Sequence, residues 1–141
     1  MNVFTEAEIE YLKGQRLGRL ATIGPDGNPQ NNPVAFSYSA DTGTIDIGGY
    51  NMGASRKFRN VRADVRVSFV VDDIASIKPW RVRGVEIRGR AEALAGQTLP
   101  MKGASNGIIR IHPRRIISWG IAPAAGGMQK RNVEPDAKSV S

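Results

Sequence analysis

From Leu17 to Gly120 the chain returns again and again to short alternating or apolar segments parted by turn residues, and no helical stretch there is long enough to link parallel strands. That order argues against a parallel α/β sheet. It favours a mainly β chain, a small antiparallel barrel of six strands with short flanking helices. The first hairpin is Leu17-Gly-Arg-Leu-Ala-Thr-Ile23, the turn Gly24-Pro-Asp-Gly-Asn28, and a second strand through Asn32-Pro-Val-Ala-Phe-Ser-Tyr38. Ala40-Asp-Thr-Gly43 is another turn, before a short strand from Thr44 to Gly48 with Ile45 and Ile47 on one face.

Val65, Val67, Phe69 and Val71 then alternate with Arg66, Ser68 and Val70, the period of a strand with one buried face. A long strand from Val82 to Leu94 contains Gly84 and Gly89, which predicts a bulge or strong coiling. Residues 95–107 read as a short helix or a loop, and Ile108 to Gly120 as two strand pieces broken at Pro113. At the start, Thr5 and Glu8 have capping-box spacing, and Ile9 and Leu12 supply an apolar stripe for a helix ending near Gln15. With 141 residues in all, one domain over 1–120 and a flexible tail over 121–141 are expected.

There is no cysteine and one histidine, His112, which excludes thiolate catalysis and argues against a metal site. No apolar run approaches the roughly 20 residues of a membrane helix, and the N-terminus lacks signal-peptide order, so a cytoplasmic location away from membranes is expected. The net charge of +7 comes from arginines spread through structured segments, a distribution that suits a small anionic ligand at least as well as nucleic acid.

The richest stretch runs from Gly48 to Asp73, where a glycine-bearing loop enters a short basic helix and then a strand. Gly53-Ala-Ser55 opens that helix, where free N–H groups would reinforce Arg56 and Lys57 in holding a phosphate or carboxylate. In projection Phe58 and Val61 point inward, while Arg56, Lys57 and Asn60 lie on a side able to face a groove. A solvated charged face accounts for any one of these cations alone. Asn31 and Asn32 precede Pro33, Val34 and Ala35, so their amides can read the polar edge of a flat heterocycle against an apolar wall; an edge-strand role fits as well. Trp80 and Trp119 suit ring stacking or plain packing. Glu86, Arg88, Arg90 and Glu92 share a strand face and read as surface charge pairing. No Walker loop, nucleophile elbow or side-chain nucleophile is present, which points to a borrowed reactive centre, a cofactor.

Leu17-Gly-Arg-Leu-Ala-Thr-Ile-Gly-Pro-Asp-Gly-Asn-Pro, Asn32-Pro-Val-Ala-Phe, Ser55-Arg-Lys-Phe-Arg-Asn-Val, Val67-Ser-Phe-Val-Val-Asp-Asp and Gly84-Val-Glu-Ile-Arg-Gly-Arg-Ala-Glu, in that order, are together distinctive. Over about residues 3–120 the chain resembles the pyridoxamine 5'-phosphate oxidase-like, FMN-binding split-barrel superfamily, in its actinobacterial branch that uses the deazaflavin coenzyme F420. The resemblance implies a split β-barrel homodimer with cofactor grooves at the subunit interface. It implies cofactor contacts from Asn32, Pro33, Val34, Ala35, Ile47, Gly48, Ser55, Arg56, Lys57 and Asn60, with Lys57 on the phosphate and Trp80 approaching from the barrel side or the partner subunit. The segment that grips the vitamin phosphate in classical pyridoxamine phosphate oxidases has no evident counterpart. The implied activity is hydride transfer between reduced F420 and an unsaturated or conjugated small molecule, with no catalytic acid assigned. FMN-dependent chemistry on the same fold, or carriage or sensing of a flavin, haem or other planar anion, are the alternatives.

Overall fold

The structure, a computed structural model, describes residues 3–100, 106–121 and 127–134. Seven strands form one antiparallel sheet: β1 (Leu17–Ile23), β2 (Pro29–Ser39), β3 (Thr44–Ile47), β4 (Arg66–Ser76), β5 (Arg81–Leu94), β6 (Ile108–Trp119) and β7 (Met128–Asn132). Their order is β3-β2-β1-β4-β5-β6-β7, and an added β3–β6 pairing closes the first six into a barrel. The closure is possible because one edge of β6 is shared. Ile109–Ile111 pair with β3, whereas Arg115–Trp119 pair with β7.

Two helices cover the barrel, α1 (Glu6–Lys13) and α2 (Arg56–Ala63), the latter preceded by a 3₁₀ turn at Met52–Ala54. Leu20, Ile45, Ile47, Phe69, Val71, Val85, Ile87, Ile109, Ile111 and Ile116 fill the interior, joined by Phe58 and Val61 of α2 and Leu12 of α1. Each such side chain contributes about 1.5–3 kcal/mol by leaving water. Gly18 makes room for the ring of Phe69, since a Cβ there would lie 2.3 Å from its Cζ. Phe36 meets Phe69 edge-on at 5.2 Å between centroids.

The expected bulge is present. The β5–β6 register shifts at Arg88/Gly89, and a Cβ on Gly89 would sit 2.3 Å from the His112 carbonyl oxygen. Gly84 lies under Trp119, whose Cζ2 would be 2.5 Å from an added Cβ. The break expected at Pro113 is absent: β6 is continuous, because the bulge absorbs the extra residue and β6 changes edge partner from β3 to β7 around it. Residues 95–100 form a turn and extended chain rather than a helix, and the rest of that stretch up to 105 lies outside the described residues. Part of the expected tail is strand, since β7 pairs with β6.

Buried charge fastens the ends of the chain. Thr5 and Glu8 form the capping box, and the Glu8 carboxylate also accepts from both terminal nitrogens of Arg131 on β7. Arg131 donates further to the Val3 carbonyl at 2.7 Å. Burial raises the Glu8 pKa, but hydrogen bonds from Arg131, Thr5 and Ser118 outweigh it and hold the carboxyl below its usual range. Asp73 accepts two bonds from Arg83, at 2.8 and 3.0 Å, and one from the Tyr11 hydroxyl at 2.8 Å. Asp46 is likewise gripped by Arg110 through two bonds of 3.0 Å and by Thr44 at 2.9 Å.

Candidate functional site

Helix α2 is set into the barrel by its apolar arc. Phe58 and Val61 are buried, as their spacing predicts, and Arg62 lies over the Phe58 ring with its guanidinium carbon 4.8 Å from the centroid. Ser55 is the N-cap: its Oγ accepts from the Phe58 N–H at 3.3 Å and donates to the Met52 carbonyl at 2.7 Å. The amides before it are already engaged. Gly53 donates to the Asn106 carbonyl, Ala54 to Asn51 and Ser55 to Met52. At the start of α2 the amides for which no acceptor is found among the described residues are those of Arg56 and Lys57, two to three residues later than Gly53-Ala-Ser55 predicts.

The four cations of the helix are not equivalent. Arg56, Arg59 and Arg62 are exposed, whereas Lys57 is half-buried. In helical projection Lys57 falls between Asn60 and Val61, on the arc facing the barrel. Among the described residues it meets no carboxylate and donates no hydrogen bond. Arg66, just beyond the helix, is by contrast spent on Asp64, whose carboxyl is held down to about 2 by hydrogen bonds from the Arg66 side chain and amide.

Asn60 borders the groove, as its position suggests, and it also fastens the helix. Its side chain is 4% exposed, and Nδ2 donates to Thr22 Oγ1 at 3.0 Å and to Gln30 Oε1 at 2.9 Å. It therefore pins α2 to β1 and to the start of β2. Beside that pin a groove of about 560 Å³ is lined by Arg56, Arg59, Asn60, Gln30 and the β1–β2 turn at Pro25 and Asp26. Asp26 is occupied by Asn28, whose backbone and side chain both donate to it at 3.0 Å. Gln30 and Arg59 were not singled out from the sequence; Gln30 was detectable only through its even spacing from Asn32, and Arg59 as one more cation of the cluster.

Strand alternation divides the β2 wall. Val34 is buried opposite Gly18, while Pro33 and Ala35 pair with Arg19 and Leu17 on the other face; Asn32 is exposed opposite Leu20. Pro33 and Ala35 thus share an outer surface that excludes the Val34 side chain. Ile47 is fully buried inside the barrel, backbone included, where it pairs with Phe36 of β2 and Ile109 of β6, so it offers no surface to a ligand. Gly48 lies against Leu99, whose Cδ1 would be 3.0 Å from a Cβ added there.

Trp80 stands apart. It is 63% exposed near the tip of the β4–β5 hairpin, and α2 enters β4 at the opposite end of a strand that spans roughly 33 Å. Within one chain Trp80 does not join the α2 cluster. Trp119 packs on Gly84, Arg88 pairs with Glu86 at 2.7 Å, and His112 pairs with Glu92, so these read as structural groups. No cluster of His, Asp and Glu suited to a metal is present among the described residues, and no described helix is long and apolar enough to cross a membrane.

The six-stranded barrel with a capped, cation-bearing helix at its side is a split β-barrel. The chain belongs to the pyridoxamine 5'-phosphate oxidase family, whose model matches residues 4–119. A relative from Streptomyces rimosus, a 5a,11a-dehydrotetracycline/5a,11a-dehydrooxytetracycline reductase, is 51% identical over 119 residues, 84% of each chain. Among solved structures, a conserved hypothetical protein from Mycobacterium tuberculosis is 29% identical, with a TM-score of 0.64 over 84% of this chain and 86% of its own. An F420 reductase, 24% identical with a TM-score of 0.61 over 80% of this chain and 98% of its own, shares the fold.

Proposed function

We propose that this protein is a reductase that takes a hydride from reduced F420 and delivers it to an unsaturated carbon of a fused-ring small molecule. The chain is an oxidoreductase of the split-barrel type acting on a small organic substrate. The observation that carries the finer reading is Lys57, a half-buried ammonium with no counter-ion among the described residues, beside two helix-start amides with no acceptor. Desolvating a cation without a partner is costly, so its natural complement is a ligand anion. A phosphate at the first turn of α2 meets Lys57, both amides and the helix dipole together.

In this reading Asn32 orients the polar edge of the ring system, Pro33 and Ala35 exclude water from its face, and Arg56 and Arg59 hold the outer anionic part. The deazaflavin, when bound, supplies the hydride-carrying ring carbon. The similarity to the Streptomyces relative, a dehydrotetracycline reductase by name, is what supports an unsaturated fused-ring substrate class. A second copy of the chain completes the groove: Ile74, Ile77, Trp80 and Val82 form an exposed apolar hairpin end, and Trp80 reaches an α2 cluster only across a dimer.

Anaerobic titration with oxidised F420, followed by absorbance, tests the proposal. Saturable binding that weakens in Lys57→Ala is expected, and light scattering of the same sample should give twice the chain mass. FMN carries a phosphate on a similar stem, so it is titrated in parallel. Tight FMN binding with none of F420 moves the protein to the flavin-dependent reading.

A further inference from the structure

A second groove, of about 360 Å³, lies on the outer side of β2 and has no part in the phosphate cradle. Ala35, Phe36, Leu99 and Pro100 give it apolar lining, and Gln15, Arg16 and Ser37 give it polar lining. That volume falls within the roughly 300–1,000 Å³ typical of small-molecule pockets. Arg16, just before β1, is exposed and makes no ion pair among the described residues, unlike Arg19, Arg83, Arg88 and Arg110. Ala35 belongs to the outer wall already assigned to the cofactor ring, so whatever occupies this groove is adjacent to that ring.

We infer that this groove is the substrate subsite, and that it takes a planar fused-ring molecule with an ionised enol or phenol edge, held by Arg16 and clamped by Leu99. The inference rests on the reductase reading above and deepens it. An apolar lining that holds a single guanidinium matches a ligand with a flat hydrocarbon body and acidic oxygens on it. A guanidinium grips such an enolised dicarbonyl edge through two parallel N–H bonds, which an ammonium does not reproduce. Leu99 packs on Gly48: with no side chain there, just beyond β3, the Leu99 methyl approaches the backbone, and an added Cβ at 3.0 Å would displace it by a few tenths of an ångström. Gly48 therefore acts on the groove through Leu99 rather than by touching the ligand.

The test uses tetracycline as probe, titrated into the apoprotein in EDTA-containing buffer and read by its own fluorescence. Saturable binding to the wild type is expected. Arg16→Gln should weaken it about tenfold, Leu99→Ala by a few-fold, and Gly48→Ala by displacing Leu99. Oxidised F420 affinity in Arg16→Gln should stay within twofold of wild type, and circular dichroism should show all variants folded. Absence of tetracycline binding in the wild type overturns the inference. So does a probe affinity unchanged in both Arg16→Gln and Leu99→Ala, or a loss of F420 affinity in Arg16→Gln with probe binding retained, which would put Arg16 on the cofactor. Failure of F420 to bind the wild type removes the reductase reading instead, and the tetracycline series, measured without cofactor, tells the two apart.

Discussion

The side of the barrel carrying α1 and β7 and the side carrying α2 are both rich in charge, yet they use it in opposite ways. On the first, Glu8 is closed by Arg131 and Asp73 by Arg83 and Tyr11. On the second, Arg56 and Arg59 line one groove and Lys57 lies on the barrel-facing arc of the same helix, with no carboxylate of their own among the described residues apart from Asp26, which is taken by Asn28. Closed pairs hold the chain together. Open cations of one sign destabilise it slightly through mutual repulsion, and they persist where a ligand supplies the missing charge.

The largest effect should come from opening a closed pair. Arg131→Ala leaves the Glu8 carboxylate, 1% exposed, without its cation and releases β7 from α1 and from the Val3 carbonyl. A loss of about 3 kcal/mol is expected in urea unfolding, because an orphaned buried charge costs far more than the pair gained. The pH dependence sharpens this. Because the folded-state pKa of Glu8 is lowered, its contribution is fully present above pH about 4.5 and disappears as the pH falls through the lowered value. Wild type and variant should therefore converge in acid; a constant gap down to pH 2 would show that the ion pair is not what β7 depends on.

Lys57→Ala is the inverse case. Removing an open, half-buried cation should leave the unfolding midpoint unchanged or slightly raised, while F420 affinity falls about 30-fold, equivalent to roughly 2 kcal/mol of charge-assisted contact. Equal loss of stability and affinity would place Lys57 among the structural charges.

Asn60 sits between the two regimes. In Asn60→Ala the Thr22 hydroxyl and Gln30 carbonyl lose their shared donor in a buried setting, which should cost about 1.5 kcal/mol of stability. Any loss of cofactor affinity should then be recovered in Asn60→Gln only if the longer amide still reaches Gln30. A thermal melt beside the titration separates anchoring from direct contact.

The barrel itself was readable because its determinants are local. Alternation at Val67, Phe69 and Val71, turn chemistry at Gly24–Asn28 and the capping box at Thr5 each act within a few residues, and all three are present as expected. The Phe58 and Val61 face of α2 was readable for the same reason. What escaped depends on partners far away in sequence. The continuity of β6 through Pro113 is decided by Gly89 and by the exchange of β3 for β7 along its edge; the strand at Met128–Asn132 is fastened by Arg131 to Glu8, more than a hundred residues back. The site was half-legible on these grounds. The Ser55 cap follows from the helix alone, but the turn of Lys57 toward the barrel and the bond from Asn60 to Gln30 depend on how α2 lies on the barrel.

The smallest effect, and the one that tests how far the open region extends, belongs to Arg56. It is exposed at the rim of the α2 groove with Arg59, so its attraction for an anion passes largely through water and is screened by salt. Arg56→Ala should weaken F420 binding about threefold at low ionic strength and hardly at all in 0.5 M salt, where the Debye length is down to roughly 4 Å. Lys57→Ala, lying on the barrel-facing arc, should keep most of its effect at the same salt. If the two variants show the same salt dependence, the distinction between a half-buried phosphate contact and an outer steering charge fails, and the cluster acts as one diffuse field.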